Sequence, residues 1–473
     1  MAGIKTPAKL YLIKYRKRRE VYMKLTNYYA LLNINRKYYL LNTLNSALIE
    51  LDSENYEKIR HLSVNENDIT IFNNNELEIL KNNGFLIEED YDEFLYIRNR
   101  YLTSKYKVGN RLKIDIAITN KCNFSCEYCY ERNSNKQADE HIDREQFIGL
   151  LKKYINYMLK NYLIKLLQVV WFGGEPLLEF SLISQINQEL MNLASDYKIS
   201  YSNILVTNGY LINETIVKKL SNQNVKYIQI TLDGNENFHN KKRTLINGRN
   251  TYSKILNGIS NLLAAGIKVI IRINVDKSNK DNIPYLIDEL YKKYENYVLS
   301  KTLFISIARI FGYEKSISIS EYEPIYNTLW IKSTHYGFIE PILESTKEWT
   351  FCNAERDVID SPVIDIFGKV YKCWNDVFIN NANYTTLEKL CEEEIPKNKE
   401  RFRYVEQVSL LNVNNGNCLL CNYFPYCMGL CPDLRIRILN GKEENIYTGN
   451  KCKLIVENHI KNEIKAILSL GDI

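Results

Sequence analysis

From residue 111 onward, short apolar runs recur at near-regular intervals. They read LKIDIAIT, LQVVWFG, NILVTNG, KYIQITLDG, KVIIRINVD and LFISIAR. Between them, apolar residues return every three or four positions, over 144–159, 182–196, 253–265 and 283–297. The first pattern predicts buried strands and the second amphipathic helices. Their alternation predicts parallel βαβ units. Six such units predict an α/β fold class, a (β/α)6 partial TIM barrel, with a doubly wound sheet as the alternative. Polar or glycine residues close nearly every run: Asn120, Gly173, Asn208, Asp233 and Asn274. In both architectures sites form at those C-terminal strand ends.

The pattern differs on either side. Residues 1–105 carry β-like runs (YYALLNI, KYYLLNT, ALIELD), a turn at 42–46, helical stretches from 53 and over 75–82, and Gly84 placed as a helix C-cap. This predicts a small N-terminal α+β module. Residues 106–345 form the barrel. Residues 346–473 lose the periodicity but hold eight of the eleven cysteines, between 352 and 452. Dense cysteines with weak periodicity predict a cysteine-rich, metal-stapled domain.

Composition narrows the class. The 473 residues are 45% hydrophobic and 25% charged, enough for a real core. The net charge of +6 is too small an excess to argue for nucleic acid. The basic run 14–19 reads as a solvated end, with an acidic peptide as its other possible contact. The opening MAGIKTPAKLYLIKYRKRRE lacks a secretory h-region, and no apolar stretch is long enough to span a membrane. A cytoplasmic protein without membrane or nucleic-acid partners is expected. In a reducing compartment its cysteines point to metal rather than to disulfides.

Cys122, Cys126 and Cys129 share one loop after the first strand, spaced CxxxCxxC. Three thiolates there can each bind one iron of a cubane [4Fe-4S] cluster and leave the fourth iron open to a substrate or cofactor. Zinc would want a fourth ligand, and no His or Cys follows at a finger spacing. Zinc and a set of buried thiols stay as alternatives.

In this setting the loop resembles that of the radical S-adenosylmethionine (SAM) enzymes. WFGGEPLL, residues 171–178, resembles their GGEP motif. The resemblance implies that Gly173 and Gly174 line the methionine part of SAM and that Glu175 accepts from its ammonium. ITLDGNENFHNKKR, residues 230–243, resembles the fourth-strand motif. By that match Thr231 contacts SAM, Arg243 pairs with its carboxylate, and Tyr128 packs on the adenine side. Asn274 is a weaker cofactor-site candidate, and His239 reads as structural.

Cys418, Cys421, Cys427 and Cys431, followed by Cys452 and preceded by Cys352 and Cys373, resemble the SPASM domain of peptide-modifying radical SAM enzymes. That resemblance implies two auxiliary [4Fe-4S] clusters, three in all. Cys418, Cys421, Cys427 and Cys452 would bind one. Cys352, Cys373 and Cys431 would bind the other, which then has three ligands and an open iron; Cys391 could complete it, but its position does not match the family and it reads as a free thiol. Two zinc sites are the alternative. The N-terminal module resembles segments that bind a leader peptide as an added strand; a cap on the barrel is the rival reading.

The implied activity is maturation of a ribosomally made peptide. Reductive cleavage of SAM gives a 5'-deoxyadenosyl radical that takes hydrogen from the peptide, and a thioether or other side-chain crosslink follows. Partners would be a precursor peptide and a flavodoxin- or ferredoxin-type electron donor. A formylglycine-forming sulfatase-maturing enzyme is the alternative, although that family has Asp directly after the cysteine matching Cys373, where this chain has Trp374. A non-catalytic iron–sulfur electron carrier is a third, disfavoured because a carrier has no need of SAM motifs.

Overall fold

The structure is a computed structural model; it describes residues 22–62, 69–132, 143–341, 351–391 and 398–471. By its internal contacts the chain forms two units, Met1–Glu93 and Phe94–Ile473. The basic run 14–19 lies outside the described residues.

In the first unit, β2 (Tyr29–Ile34), β3 (Lys37–Asn42) and β4 (Leu48–Leu51) form an antiparallel sheet in that order. Asn35 and Arg36 both take positive φ between β2 and β3, as a tight hairpin turn requires. The expected turn at 42–46 is held by the Asn42 side chain, which accepts from the Leu44 amide at 2.9 Å. A second pair joins β1 (Met23–Leu25) to β5 (Leu86–Glu88). Helices α1 (Ser53–Leu62) and α2 (Asn74–Asn82) pack Ile59, Leu62 and Leu80 against Leu40, Phe85 and Leu86. A capping box from Asn73 and Glu76 starts α2. Gly84, at φ +73°, follows its end, as a C-cap glycine should.

Helix α3 (Glu93–Tyr106) runs almost wholly in the second unit, so the contact boundary falls before it rather than at 105. Then come β6 (Arg111–Ala117), α4 (Arg144–Asn161), β7 (Leu166–Phe172), α5 (Phe180–Asp196), β8 (Ser200–Thr207), α6 (Glu214–Leu220) and β9 (Val225–Thr231). They are followed by α7 (Glu236–Lys242), α8 (Tyr252–Ala264), β10 (Val269–Val275), α9 (Ile283–Leu299), β11 (Leu303–Arg309) and α10 (Ile319–His335). Strands β6 to β11 pair in parallel and in sequential order. A doubly wound sheet reverses its order at a switch point; this one does not, and the order is that of a partial barrel.

The sheet does not stop at six strands. β12 (Val363–Asp365) adds in parallel to β6, and β13 (Lys369–Tyr371) and β14 (Thr385–Thr386) follow antiparallel, giving nine strands in one mixed sheet. The cysteine-bearing C-terminal region is thus continuous with the sheet. It completes with short helices α11 (Lys399–Phe402), α12 (Phe424–Cys427) and α13 (Pro432–Leu439) and the long α14 (Lys451–Gly471). Side chains such as Leu112, Ile114, Val169, Ile271 and Ile273 face the helices and form the main core.

A buried ion pair ties parts of this unit together. Arg435, fully buried, donates to Glu355, which also accepts from the Tyr101 hydroxyl of α3 at 2.5 Å. Breaking such a pair leaves an uncompensated buried charge. Glu355→Ala should lower the stability of residues 94–473 by about 3–5 kcal/mol, read by urea denaturation.

Candidate functional site

The three-cysteine loop leaves β6 at its C-terminal end and is pinned on two sides. On one side, the Gly174 amide donates to the Thr119 carbonyl at 2.9 Å and the Glu175 amide to the Lys121 carbonyl at 2.8 Å. This approach requires glycines: a Cβ on Gly173 or Gly174 would collide with the Thr119 or Lys121 carbonyl oxygen, and Gly173 sits at φ +120°. On the other side, Phe124 bridges to Leu245, and the Ser125 amide donates to the Thr244 carbonyl at 2.9 Å. The Asn208 side chain also donates to Asn123 at 2.7 Å.

Burial pushes the Cys122 thiol up to about 12, and Glu175, Cys126 and Cys129 each add to the shift. The three sulfurs are thus gathered closely enough to oppose one another's ionisation. An all-thiolate donor set of this kind suits iron–sulfur coordination, since bound iron supplies the missing positive charge. Among the described residues, no three His, Cys, Asp or Glu side chains converge on one point as the ligands of a single ion do. Cubane ligands each bind a different iron and stand further apart.

Glu175 is fully buried and spends both oxygens internally. One accepts from Thr207 Oγ1 at 2.6 Å and the Leu177 amide at 3.0 Å; the other accepts from the Asn208 amide at 2.8 Å. These contacts make it an organiser of the turn, while the sequence reading gave it only a contact to SAM. Arg243 is buried at 8% exposure. It donates to the Tyr128 hydroxyl at 2.6 Å, and that hydroxyl in turn donates to Asp233 and accepts from Asn274 Nδ2 at 3.3 Å. Arg243 Nε is buried without a partner among the described residues. Burial pushes the Asp233 carboxyl up, and Arg243 and Tyr128 pull it back. Thr231 ends β9 and is buried, paired in register with Arg272 of β10. Arg243, Asn274 and Asp233 therefore converge on the Tyr128 hydroxyl, and Asp233, given no role from sequence, also accepts from the Asn274 amide at 3.4 Å. Its signal was the acidic residue of TLDG.

His239 is fully buried; its Nδ1 accepts from the Asp233 amide at 3.4 Å, and Nε2 lies 3.1 Å from Thr251 Oγ1. Burial holds its ring well below the usual value, which keeps it neutral and structural.

The other cysteines fall into two electrostatic groups. Burial raises Cys427 to about 12, with Cys418, Cys421 and Cys452 adding. It raises Cys418 to about 11, with Cys421 and Cys452 adding. Elsewhere, burial drives Cys373 well up, with Asp376 and Cys352 also contributing. Cys352 and Cys431 are exposed as residues, yet packing around the Cys352 sulfur raises its thiol, and Cys431 adds. Cys391 has its backbone in a short helical turn, and its side chain lies outside the described residues.

Residues 116–290 match the Radical SAM superfamily. The chain carries a radical SAM domain. Such a domain works with SAM and an iron–sulfur cluster, and the matched segment contains the three-cysteine loop, the glycine turn and Arg243. Among curated relatives, the radical SAM cyclopropyl synthase TigE of Paramaledivibacter caminithermalis is 23% identical, covering 83% of this chain and 85% of its own. The serine-type anaerobic sulfatase-maturating enzyme of Bacteroides thetaiotaomicron is 22% identical, covering 66% and 80%. Among solved structures, native anSMEcpe with bound AdoMet matches with a TM-score of 0.59 at 19% identity, over 76% of this chain and 100% of that one. Its form with bound AdoMet and Cp18Cys peptide matches at 0.57 and 19%, over 77% and 99%. These likenesses establish the fold of the radical SAM domain and its C-terminal extension.

Gly174→Ala should displace the Lys121 carbonyl and with it the cysteine loop. Iron bound per chain after anaerobic reconstitution is expected to fall, and Cys122→Ala should lower it at least as far.

Proposed function

We propose that this chain is a radical SAM enzyme that modifies a side chain of a peptide or protein. The observation that carries this reading is the three-thiol loop, clamped by the glycine turn at the C-terminal ends of the barrel strands. An open cavity of about 1490 Å³ reaches the same strands from their N-terminal side, lined by inner-face residues of β6 to β9, by Asn110, Arg111 and Lys165, and by Phe351, Cys352 and Trp374. Small-molecule pockets typically run to about 300–1,000 Å³, so its size suits a peptide segment.

Cys122, Cys126 and Cys129 would hold a [4Fe-4S] cluster. Cys418, Cys421, Cys427 and Cys452 would hold an auxiliary one, and Cys352, Cys373 and Cys431 another. When bound, the first cluster and SAM supply a 5'-deoxyadenosyl radical able to take an unactivated hydrogen. The chain's own residues position and shield. The unpartnered Arg243 Nε offers a donor for the SAM carboxylate, oriented by Tyr128 and Asp233. Gly173 and Gly174 leave backbone exposed where the methionine part would lie, and Glu175 holds that turn rigid.

For the bond made, the comparisons lend more support to oxidation of the sulfatase-maturating kind than to crosslinking, since anSMEcpe covers about three quarters of this chain at TM-scores of 0.57 and 0.59. Trp374 favours the second reading, a thioether or other crosslink, because it stands where formylglycine formation would call for an Asp. Its indole N–H instead donates to Asp115 at 2.7 Å. The first unit would bind a leader peptide along an edge of its sheet, where β2 and β4 are the outer strands among the described residues.

Reduced wild-type protein should convert SAM to 5'-deoxyadenosine, and Cys126→Ala should not; absence of the product from wild type removes the enzymatic reading. Mass spectrometry of a co-expressed peptide then separates the chemistries. A thioether keeps the sulfur and loses two hydrogens, whereas formylglycine from Cys loses two hydrogens and also exchanges sulfur for oxygen. Deleting 1–92, which spares α3, should abolish modification and leave uncoupled SAM cleavage; loss of both would favour a cap.

A further inference from the structure

The open cavity on the N-terminal side of the barrel is lopsided in charge. Six cations line it, Arg100, Lys107, Arg111, Lys113, Lys165 and Arg356, against one carboxylate among the described residues, Asp360. Over the whole chain the two signs nearly balance, 62 to 56, so the bias is local. Three of the six cations have contacts of their own. Both oxygens of Asp360 accept from Arg356, at 2.8 and 2.9 Å, and Lys113 pairs with Asp115 at 2.9 Å. Arg100 donates to the Tyr96 hydroxyl at 2.8 Å.

Lys107, Arg111 and Lys165 are different. All three are exposed, and no cavity-lining carboxylate among the described residues is left to answer them. They share one rim. Arg111 opens β6 opposite Leu166 of β7, and the Lys165 amide donates to the Asn110 carbonyl at 2.7 Å. The Lys107 carbonyl accepts from Arg356 at 2.9 Å. Like charges held on neighbouring strands destabilise each other, and a concave wall of one sign focuses its field on whatever carries the other. The cavity runs inward from that rim. Leu166, Gln168 and Val170 of β7 all line it, a run of about 13 Å at the rise of a strand. Val206, Tyr227 and Gln229 make its inner walls uncharged. Its inner end is marked by Trp374, which donates to Asp115, the ladder partner of Val170, and stacks on Phe172 beside the glycine turn. A run of that length takes an extended chain, whereas a folded domain would meet only the rim.

We propose that Lys107, Arg111 and Lys165 receive an acidic stretch of the peptide, whose Asp or Glu side chains pair with the rim as the chain enters the cavity towards Trp374. The three are then specificity-determining residues for an acidic sequence context. This rests on the peptide reading above. The test reads binding alone. Absence of 5'-deoxyadenosine from wild type would remove the enzymatic reading and leave the charge preference standing, while absence of the preference would leave SAM cleavage as it is.

The probes are three short tetramethylrhodamine-labelled peptides in which glycine alternates with glutamate, glutamine or lysine. They are titrated anaerobically into the iron-loaded full chain and followed by fluorescence anisotropy. Exposed ion pairs are individually weak, so three together should make the glutamate peptide bind wild type about tenfold tighter than the glutamine peptide, an advantage that shrinks as salt is added. Reversing the rim, with Lys107→Glu, Arg111→Glu and Lys165→Glu together, should make the lysine peptide the tightest. Reversing three exposed lysines of α6 and α9, Lys218, Lys219 and Lys292, changes the net charge equally and should keep the glutamate preference. Equal binding of the glutamate and glutamine peptides to wild type overturns the proposal. So does binding of no probe, a preference that survives in the rim variant, or the same loss in both variants. An oligothymidylate or a flavodoxin that binds wild type tighter than the glutamate peptide, and loses that binding in the rim variant, assigns the rim to another partner and also overturns it. If the triple reversal does not fold, Lys107→Gln, Arg111→Gln and Lys165→Gln together should abolish the preference, and a preference kept there overturns the proposal.

Discussion

The site depends on two residues that have no side chain. Parallel pairing sets Ala117 opposite Phe172, and the chains stay in contact as they leave the sheet, Thr119 to Gly174 and Lys121 to Glu175. No Cβ fits on Gly173 or Gly174 at that separation. The contact continues around the strand ends. Glu175 accepts from Thr207 and Asn208 beyond β8, and Asn208 donates to Asn123, back inside the cysteine loop. The loop is closed by a ring of hydrogen bonds through three strand ends, each worth about 0.5–1.5 kcal/mol net. Their joint effect is positional: they hold the loop that carries the three cysteines against the strand ends.

A second constraint comes from the sheet edge. Without β12, β6 would end the sheet with its backbone groups unpaired, a liability for any edge strand. Pairing with Val363–Asp365 covers it and delivers the segment around Cys373 and Trp374 to the inner face. The Trp374 ring stacks on Phe172 at 4.2 Å and 11° while its N–H reaches Asp115. The C-terminal region is therefore part of the barrel wall, and a cavity lined by residues as distant in sequence as Lys113 and Trp374 follows from that.

The barrel was legible because its strands bury both alternation and bulk. LFISIAR is β11 to the residue, and the other five runs fall within a few positions of their strands. The cysteine spacings and GGEP were legible because their chemistry is local. Three features were not. Helix α3 was missed because its buried face is Ile97, Tyr101 and Lys105, while Phe94 and Leu95 are exposed, so its apolar residues do not form one stripe. The extension of the sheet by β12, β13 and β14 was missed because strands of two or three residues carry no periodicity. The internal role of Glu175 and the bond from Tyr128 to Asp233 depend on contacts between segments far apart in the chain. Asp115 did leave a trace, the one acidic residue of its strand, and buried carboxylates ask for a partner such as Lys113.

The same electrostatics explains why the C-terminal region has so little regular structure. Burial raises the Cys352, Cys373, Cys418 and Cys427 thiols and neighbouring thiols raise them further, which favours their protonated forms. On the reading proposed above, iron reverses this sign: each thiolate gains a partner, and the free energy of binding becomes free energy of folding. The segment from 403 to 431 has a π-helical turn at Arg403–Gln407, a 3-10 stretch over Val413–Leu420 and one four-residue α-helix of its own. A region whose rigidity comes from metal can be shaped by the cavity it lines, and that leaves Trp374 free to sit where its ring closes the barrel and its N–H orients Asp115.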